Sequence, residues 1–357
     1  MALRRAWVPP PAPTAVALPL ALAAAPRYGE QSRLPGLVII ATLLAAAVTA
    51  IGFAHTFVST AVPLLLAVVS APLVDQMRTD SRNRSRPFGA RGRVRKPITA
   101  GRDMRAVEIR PGVRIRWVEV PGASPARVYL HGLGASSAPY YAEAVAHPLL
   151  AGRRSLMVDM LGFGISDRPS GFAYSLEGHA DALAVALAKI GLRRSEIIGH
   201  SMGGAVAIVL AARHPEMVRS LVLVDPNIDP TTPSLGAPGS RGIAAYGEAD
   251  FLSHGFDRVL RDVGPHWAAT MRMAGREALY RSAVDLVRGT SPTMRKLLLE
   301  LEIPRVFLHP EDAPPSGGRE LAGAGVQLVS VPNTGHNIMI DNVEGFARAV
   351  AQQRLAV

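Results

Sequence analysis

The chain has 357 residues, contains no cysteine and carries a formal net charge of +11, so disulfide bonds and cysteine-ligated metal sites are excluded. The charge is unevenly spread, because residues 1–103 hold 13 basic and 4 acidic side chains whereas residues 104–357 hold 26 and 24. The larger part of the chain is therefore nearly neutral and lacks the basic surface that a nucleic-acid partner requires.

The first hundred residues divide into three segments of different composition. Residues 1–33 are predicted to be a disordered tail. An uncharged run of 41 residues follows, from Leu34 to Val74, and it is about twice as long as one bilayer-spanning helix requires. We therefore predict one or two transmembrane segments within residues 34–75, with a helical hairpin fitting the length best, and a basic linker at residues 76–103.

Basic residues on both sides of the uncharged run indicate the location of the rest of the chain. Arginines precede the run and follow it, which favours a hairpin whose two ends are both cytoplasmic. On this interpretation the protein is bound to a membrane, contacts membrane lipid and holds residues 104–357 in the cytoplasm. The alternative is that translation begins at Met77 or Met104, which leaves a soluble cytoplasmic protein.

Residues 104–357 alternate between short apolar strands and helices. An opening hairpin around Pro111-Gly112 precedes this rhythm, which predicts an α/β fold with a mostly parallel sheet and helices on both faces. The predicted strands are 127–130, 155–158, 194–198, 220–224 and 326–331, and the predicted helices are 139–147, 175–190 and 204–214. Residues 228–302 do not continue the alternation of strands and helices. They are predicted to form a loop and several short helices, which indicates an inserted helical cap.

The strand that ends at residue 130 leads into His131-Gly132-Leu133-Gly134. Glycines let a backbone approach a ligand closely, so the N–H of Leu133 is predicted to contribute to an oxyanion hole. Such a hole is a pair of donors that stabilises negative charge on a reacting carbonyl oxygen. We also expect His131, together with Trp267 and Met271 of the cap, to line the substrate pocket.

Gly199-His200-Ser201-Met202-Gly203 lies between an apolar strand and a helix of small residues. A G-x-S-x-G sequence in this context predicts a nucleophile elbow, with Ser201 as the nucleophile and the N–H of Met202 as the other oxyanion donor. A serine hydroxyl needs a base to take its proton. His336 follows the turn residues after the last strand, where its ring can reach a serine on a neighbouring strand, and it is the predicted base.

The chain resembles the α/β-hydrolase fold superfamily in four motifs that occur in the family's order. They are His131-Gly132, the segment 159–166, the Ser201 elbow and Gly335-His336. The resemblance extends from about residue 104 to the C-terminus, and it implies a serine hydrolase whose sheet is covered by a helical cap. It implies no cofactor and no metal. The residues agree, since the sequence contains neither an H-E-x-x-H motif nor a complete dinucleotide fingerprint.

The acid of the implied catalytic triad is where this chain departs from the family pattern. In most members the acid follows the seventh strand, and here the segment from Pro304 places Ala313 in that position and Asp312 one residue earlier. In some relatives, such as haloalkane dehalogenases, the acid follows the sixth strand, and Asp225 stands there, 24 residues after Ser201. Asp225 and Asp312 both remain candidates, with Asp225 slightly preferred.

The residues and the resemblance together predict hydrolysis of a carboxylic ester, or less readily an amide or thioester, through an acyl-enzyme at Ser201. The expected substrate is a lipophilic acyl compound, because the apolar cap belongs to a chain with a predicted membrane segment. No oligomeric state follows from the sequence. Two alternatives stay open: a non-catalytic binding or membrane-scaffold protein of the same fold, and a cofactor-free haloperoxidase-like enzyme.

Overall fold

The computed structural model describes residues 105–352. The predicted N-terminal tail, transmembrane segment and basic linker lie outside the described residues. Within residues 105–352, no helix combines the length and the hydropathy that are needed to cross a bilayer. Membrane attachment therefore stays a prediction from the sequence.

An eight-stranded sheet forms the centre of the described chain. Its strands are β1 Arg105–Arg110, β2 Val113–Val120, β3 Ala123–Leu130, β4 Arg153–Asp159, β5 Ser195–His200, β6 Val218–Val224, β7 Arg305–Pro310 and β8 Val326–Val331. In space they follow the order β1-β2-β4-β3-β5-β6-β7-β8. Strand β2 pairs antiparallel with β1 and β4, whereas the other neighbours pair parallel. The predicted mostly parallel sheet is confirmed.

Helices cover both faces of the sheet, as the alternating sequence predicts. They are α1 Ser137–Ala146, α2 Leu176–Lys189, α3 Met202–Arg213, α4 Ser240–Ile243, α5 Glu248–Asp250, α6 Phe256–Asp262, α7 Pro265–Met271, α8 Arg276–Arg288, α9 Met294–Glu300, α10 Gly318–Gly323, α11 Ile338–Asp341 and α12 Val343–Ala351. Side chains alternate between the faces of a strand. Thus Val128 and Leu130 of β3 pack in one core with α2 and α3, whereas Tyr129 packs in another with α1 and α12.

Between β6 and β7 the described chain contains helices and no strand. Helices α4 to α9 occupy this region, where the sequence predicts an inserted cap, and a π-helical turn at Phe251–Gly255 joins α5 to α6. The longest of these helices is α8, and its Leu279 and Leu286 are buried in the same core as α2 and α3. The helical region therefore shares apolar packing with one face of the sheet.

The parallel strands end at one edge of the sheet. Strand β3 leads into residues 131–134, β5 into Ser201, β6 into Asp225 and β8 into the loop that contains His336. Ligand sites of open α/β sheets lie outside the carboxyl ends of their strands. The topology therefore brings these four segments to the same edge.

His179 is a fully buried histidine on α2. Its Nε2 lies 3.1 Å from the hydroxyl oxygen of Ser282, and that hydroxyl donates to the carbonyl of Tyr174 at 3.0 Å. Because the hydroxyl proton is used, Nε2–H of His179 is the donor, and the unprotonated Nδ1 has no partner among the described residues. Burial lowers the pKa of His179 to about 3, since the imidazolium would lose its hydration without gaining a counter-ion.

Acidification is expected to destabilise the fold through His179. Its pKa in the folded state lies below the unfolded value of 6.5, so the unfolded chain binds more protons between pH 6.5 and about 3, and stability falls as the pH falls. The loss from this one group is about 2 kcal/mol between pH 7 and pH 5. In urea unfolding at both pH values, His179→Gln should reduce the pH dependence of the unfolding free energy by about that amount.

His254→Gln serves as the matched control, because the side chain of His254 is 76% exposed. This variant should keep the pH dependence of the wild type. The same pH dependence in His179→Gln as in the wild type would contradict the role given to His179.

Candidate active site

Ser201 lies in a strained turn between β5 and α3. Its φ of 53° and ψ of −118° are unusual for a residue other than glycine. A Cβ added to Gly203 would lie 2.5 Å from the carbonyl oxygen of Leu130, and one added to Gly199 would collide with the Gly203 backbone. The two glycines are therefore required by sterics, and the turn holds Ser201 at the wall of a cavity.

The Ser201 hydroxyl donates to Oδ1 of Asn227 at 3.1 Å. Within residues 105–352 it makes no hydrogen bond to His336, although both side chains line the same cavity. Asn227 is not part of the sequence motifs and was not predicted as a site residue. The available signal was its position two residues after Asp225, at the carboxyl end of β6, where polar side chains of this fold gather.

His336 and Asp225 meet directly. Nδ1 of the His336 ring lies 2.6 Å from Oδ2 of Asp225. A carboxylate accepts hydrogen bonds, so the proton of a neutral His336 is on Nδ1 and its Nε2 is free to accept another. Asp225 itself has a positive φ of 41°, and its amide donates to the carbonyl of Leu308 at 2.9 Å. The backbone thus holds this carboxylate against the imidazole.

Asp312, the other candidate acid, lies elsewhere. It is exposed in the turn that follows β7, and in the described part of the chain no hydrogen bond or ion pair joins it to His336. Of the two carboxylates that the sequence leaves open, the structure brings only Asp225 to the histidine.

The two predicted oxyanion donors are available for a ligand. No hydrogen bond among residues 105–352 uses the backbone N–H of Leu133 or that of Met202. Both residues are buried, and buried amides without partners are rare in folded proteins. Trp267 of α7 fixes the first donor's loop, since its Nε1–H donates to the carbonyl of Leu133 at 2.8 Å.

His131 has a different place from the one predicted. It is completely buried, its Nδ1 lies 2.7 Å from the carbonyl oxygen of Gly132, and its Nε2 accepts from the amide of Met160 at 3.1 Å. Burial lowers the pKa of His131, so the ring is neutral and donates through Nδ1. Both ring nitrogens are bonded to the backbone, so His131 shapes the oxyanion loop (residues 131–134) and does not line the pocket.

His200 connects the elbow to the loop of the predicted base. Its Nε2–H donates to the backbone carbonyl of His336 at 2.9 Å, and the two ring centroids are 4.6 Å apart. Burial, and then the neighbouring His336, lower the pKa of His200 well below its usual value. On its other side Nδ1 packs against Gly132, where a Cβ would lie only 2.9 Å away. His200 was not predicted to have a role, because it stands at a variable position of the elbow motif.

A cavity of about 410 Å³ brings these groups together. Its lining residues are Gly132, Leu133, Ala135, Tyr140, His200, Ser201, Asn227, Thr231, Pro238, Gly239, Ser240, Arg241, Trp267, Leu286, His336 and Asn337. Trp267 lines it as predicted from the sequence, whereas Met271 is fully buried in the hydrophobic core. The placement of Met271 in the pocket is therefore corrected: it packs the interior of the helical region.

Among residues 105–352, no group of three or more histidine or carboxylate side chains is placed to hold a metal ion. The cavity is lined by the elbow serine, by Leu133 with its unpaired amide, and by His336, whose ring is bonded to Asp225; the unpaired amide of Met202 directly follows Ser201. These are the groups that acyl transfer requires.

Sequence comparisons place the chain among proteins of one fold. A family model described as the alpha/beta hydrolase fold matches residues 126–269. The sn-1-specific diacylglycerol lipase ABHD11 of Mus musculus is 29% identical over 250 residues, which cover 63% of this chain and 80% of that protein. A 2-hydroxymuconate semialdehyde hydrolase of Pseudomonas putida is 40% identical over 95 residues, which cover 27% of this chain and only 34% of that protein.

Comparison with solved structures agrees with the sequence matches. An esterase of Exiguobacterium antarcticum aligns with a TM-score of 0.56 and 21% identity over 69% of this chain and 96% of its own. An identity this low shows a shared fold and nothing about the substrate. Together with the family model, it confirms the α/β-hydrolase resemblance that the motifs predict.

Replacement of the two candidate acids should have unequal effects on the reactivity of Ser201. Asp225→Asn removes the carboxylate that holds the Nδ1–H tautomer of His336, so labelling of Ser201 by a fluorophosphonate probe should slow by roughly a thousandfold or more. Asp312→Asn is the control and should label within about twofold of the wild type. Slow labelling in Asp312→Asn and a normal rate in Asp225→Asn would assign the acid to the other position.

Proposed function

We propose that this chain, which belongs to the α/β-hydrolase family, is a serine hydrolase that cleaves a carboxylic ester through an acyl-enzyme at Ser201. Amides and thioesters are less favoured substrates of the same mechanism. The observation that carries the proposal is the 2.6 Å contact between His336 and Asp225 beside an elbow serine in a shared cavity. The described chain holds two other close histidine–carboxylate pairs, His147 with Glu344 and His214 with Asp181, but neither shares a cavity with the elbow serine.

In the first half of the reaction, rotation about the Cα–Cβ bond of Ser201 moves the hydroxyl from Asn227 to Nε2 of His336. The serine oxygen then attacks the ester carbonyl carbon while Nε2 takes the hydroxyl proton. Negative charge moves to the carbonyl oxygen, where the amides of Leu133 and Met202 donate to it. The tetrahedral intermediate collapses as His336 returns the proton to the departing alcohol, which leaves the acyl group on Ser201.

In the second half, a water molecule replaces the alcohol. His336 takes one proton from the water as its oxygen attacks the acyl carbon, and the same two amides stabilise the second oxyanion. Collapse releases the carboxylic acid and returns the proton to Ser201. Asp225 keeps its charge throughout and stabilises the imidazolium that forms in each half.

The walls of the cavity support an apolar substrate of modest size. Leu133, Ala135, Tyr140, Trp267 and Leu286 supply apolar surface, and a cavity of about 410 Å³ has the volume of a small-molecule site. The diacylglycerol lipase among the relatives is named for an ester substrate, which supports a lipophilic acyl ester here. Contact with membrane lipid and a cytoplasmic position of this domain are part of the proposal and depend on residues 34–75.

The serine is tested directly by substitution. Ser201→Ala should abolish both fluorophosphonate labelling and turnover of a short-chain 4-nitrophenyl ester, because no other group can form the acyl-enzyme. The control is Ser253→Ala, which removes an exposed hydroxyl outside the cavity and should keep full activity. Circular dichroism and thermal melting establish that both variants fold.

A folded wild-type protein that neither labels nor turns over the ester would contradict the hydrolase mechanism and favour the non-catalytic binding protein. Turnover that requires added peroxide would favour the haloperoxidase-like alternative instead. Ester cleavage without peroxide, lost in Ser201→Ala, supports the proposal against both.

Trp267 is expected to act on catalysis by positioning the oxyanion loop. Trp267→Phe keeps an aromatic wall but removes the donor to the Leu133 carbonyl, so kcat should fall roughly tenfold, less than when an oxyanion donor itself is lost. Trp117→Phe is the matched control, since it removes an indole hydrogen bond to Glu119 at a distant strand. An unchanged kcat with a raised KM in Trp267→Phe would contradict the positioning role and show that Trp267 only contacts the bound substrate.

A further inference from the structure

One side chain in the cavity is not used by the proposed mechanism. Among the lining residues of the described chain, Arg241 alone carries a formal charge when the histidines are neutral. No acidic side chain lines the cavity beside it. A single cation in an otherwise mostly apolar pocket is the kind of sparse polar group that fixes the orientation of a ligand.

The hydrogen bonds of Arg241 leave most of its donors unused. Its Nε–H donates to the carbonyl of Thr232 at 3.0 Å, and its backbone carbonyl accepts from the amide of Ser234 at 3.0 Å. A guanidinium has five N–H donors, so four remain, and none of them has a partner within residues 105–352. The Thr232 contact holds the group in place while its terminal nitrogens stay free.

Most neighbouring arginines behave differently. In the region between β6 and β7, four others are paired with carboxylates: Arg276 with Asp257, Arg281 with Glu248, Arg288 with Asp285, and Arg295 with Asp229. This part of the chain therefore contains acidic side chains that form ion pairs with arginines, yet none of them pairs with Arg241. Arg258 and Arg261 also lack a carboxylate partner among the described residues, but only Arg241 lines the cavity that holds Ser201 and His336.

We infer that Arg241 binds a carboxylate carried by the substrate, so that the enzyme prefers esters of an acid or alcohol that bears a second, free carboxylate. The inference deepens the proposed function and rests on it. The planar fork of a guanidinium matches a carboxylate with two parallel hydrogen bonds. Apolar walls would hold the carbon chain, the ester would lie at Ser201, and the free carboxylate would lie at Arg241.

In the absence of a ligand, the charged form of Arg241 costs little free energy. The residue is exposed, so water solvates the guanidinium when no ligand is present. A ligand that fills the cavity removes part of this water, and a charge-assisted hydrogen bond becomes stronger as its surroundings become less polar. A ligand with an anionic group should therefore bind more tightly than a neutral ligand of the same shape.

The test compares esters that differ only in charge. The first pair places the group on the acyl side: mono-4-nitrophenyl adipate and its neutral carboxamide. The second places it on the alcohol side: 4-butyryloxybenzoate and 4-butyryloxybenzamide. For each pair we would measure the ratio of kcat/KM for the anionic ester to that for the neutral ester, in the full chain and in Arg241→Gln, Arg241→Lys and Arg241→Glu.

In at least one pair, Arg241→Gln should lower the ratio roughly tenfold, because a hydrogen bond to a charged group is lost. Arg241→Glu should lower it further, and Arg241→Lys should recover part of it. Added salt should lower the wild-type ratio. Arg258→Gln is the control, since Arg258 is an exposed arginine on α6 that does not line the cavity, and its ratio should stay that of the wild type.

Ratios within about twofold of the wild type in every Arg241 variant, for both pairs, would overturn the inference while leaving ester hydrolysis intact. Failure of the wild type to cleave any of the four esters would overturn the proposed function. In that event calorimetry on Ser201→Ala still decides the inference: the anionic ester should bind more tightly than its neutral partner, and the added Arg241→Gln change should abolish the difference.

Discussion

The site depends on a close approach of backbone to backbone behind Ser201. The end of β3, the end of β5 and the first turn of α3 meet where Gly203 faces the Leu130 carbonyl at a distance that admits no side chain. Ser201 has its positive φ in the turn directly before this contact. Strain of this kind persists only where the surrounding packing compensates for it, and here the compensation is a completely buried β5.

The loops at this edge of the sheet are joined to neighbouring elements by hydrogen bonds. His200 of the elbow holds the backbone of His336, Trp267 holds the carbonyl of Leu133, and the amide of Asp225 is held by the end of β7. Each functional group is thus positioned by an element other than its own. A substitution in the helical region can therefore alter the oxyanion loop without any contact with the serine, which is how remote residues affect orientation.

The motifs predict the elbow serine and the α/β fold well, because both follow from local rules: alternation of strands and helices, and glycines at fixed positions around Ser201. The pairing of Asp225 with His336 could not be read the same way. It depends on a positive φ at Asp225 and on the path of two loops far apart in sequence. His131 and Met271 illustrate the same limit. His131 is chemically suited to a pocket, but its ring is hydrogen-bonded to the backbone, and Met271 is packed in the hydrophobic core.

Charge in and around the cavity follows from burial. Burial lowers the pKa of His131, His179 and His200, so these rings stay neutral near pH 7. The ring centroids of His200 and His336 are only 4.6 Å apart, so an imidazolium at His200 would oppose the one that forms at His336 in the proposed acyl transfer. The neutral neighbours leave Asp225 as the dominant charge facing His336 and Arg241 as the cation facing the cavity. In the proposed mechanism Asp225 supplies the charge that assists the chemistry, and Arg241 is inferred to supply the charge that selects the ligand.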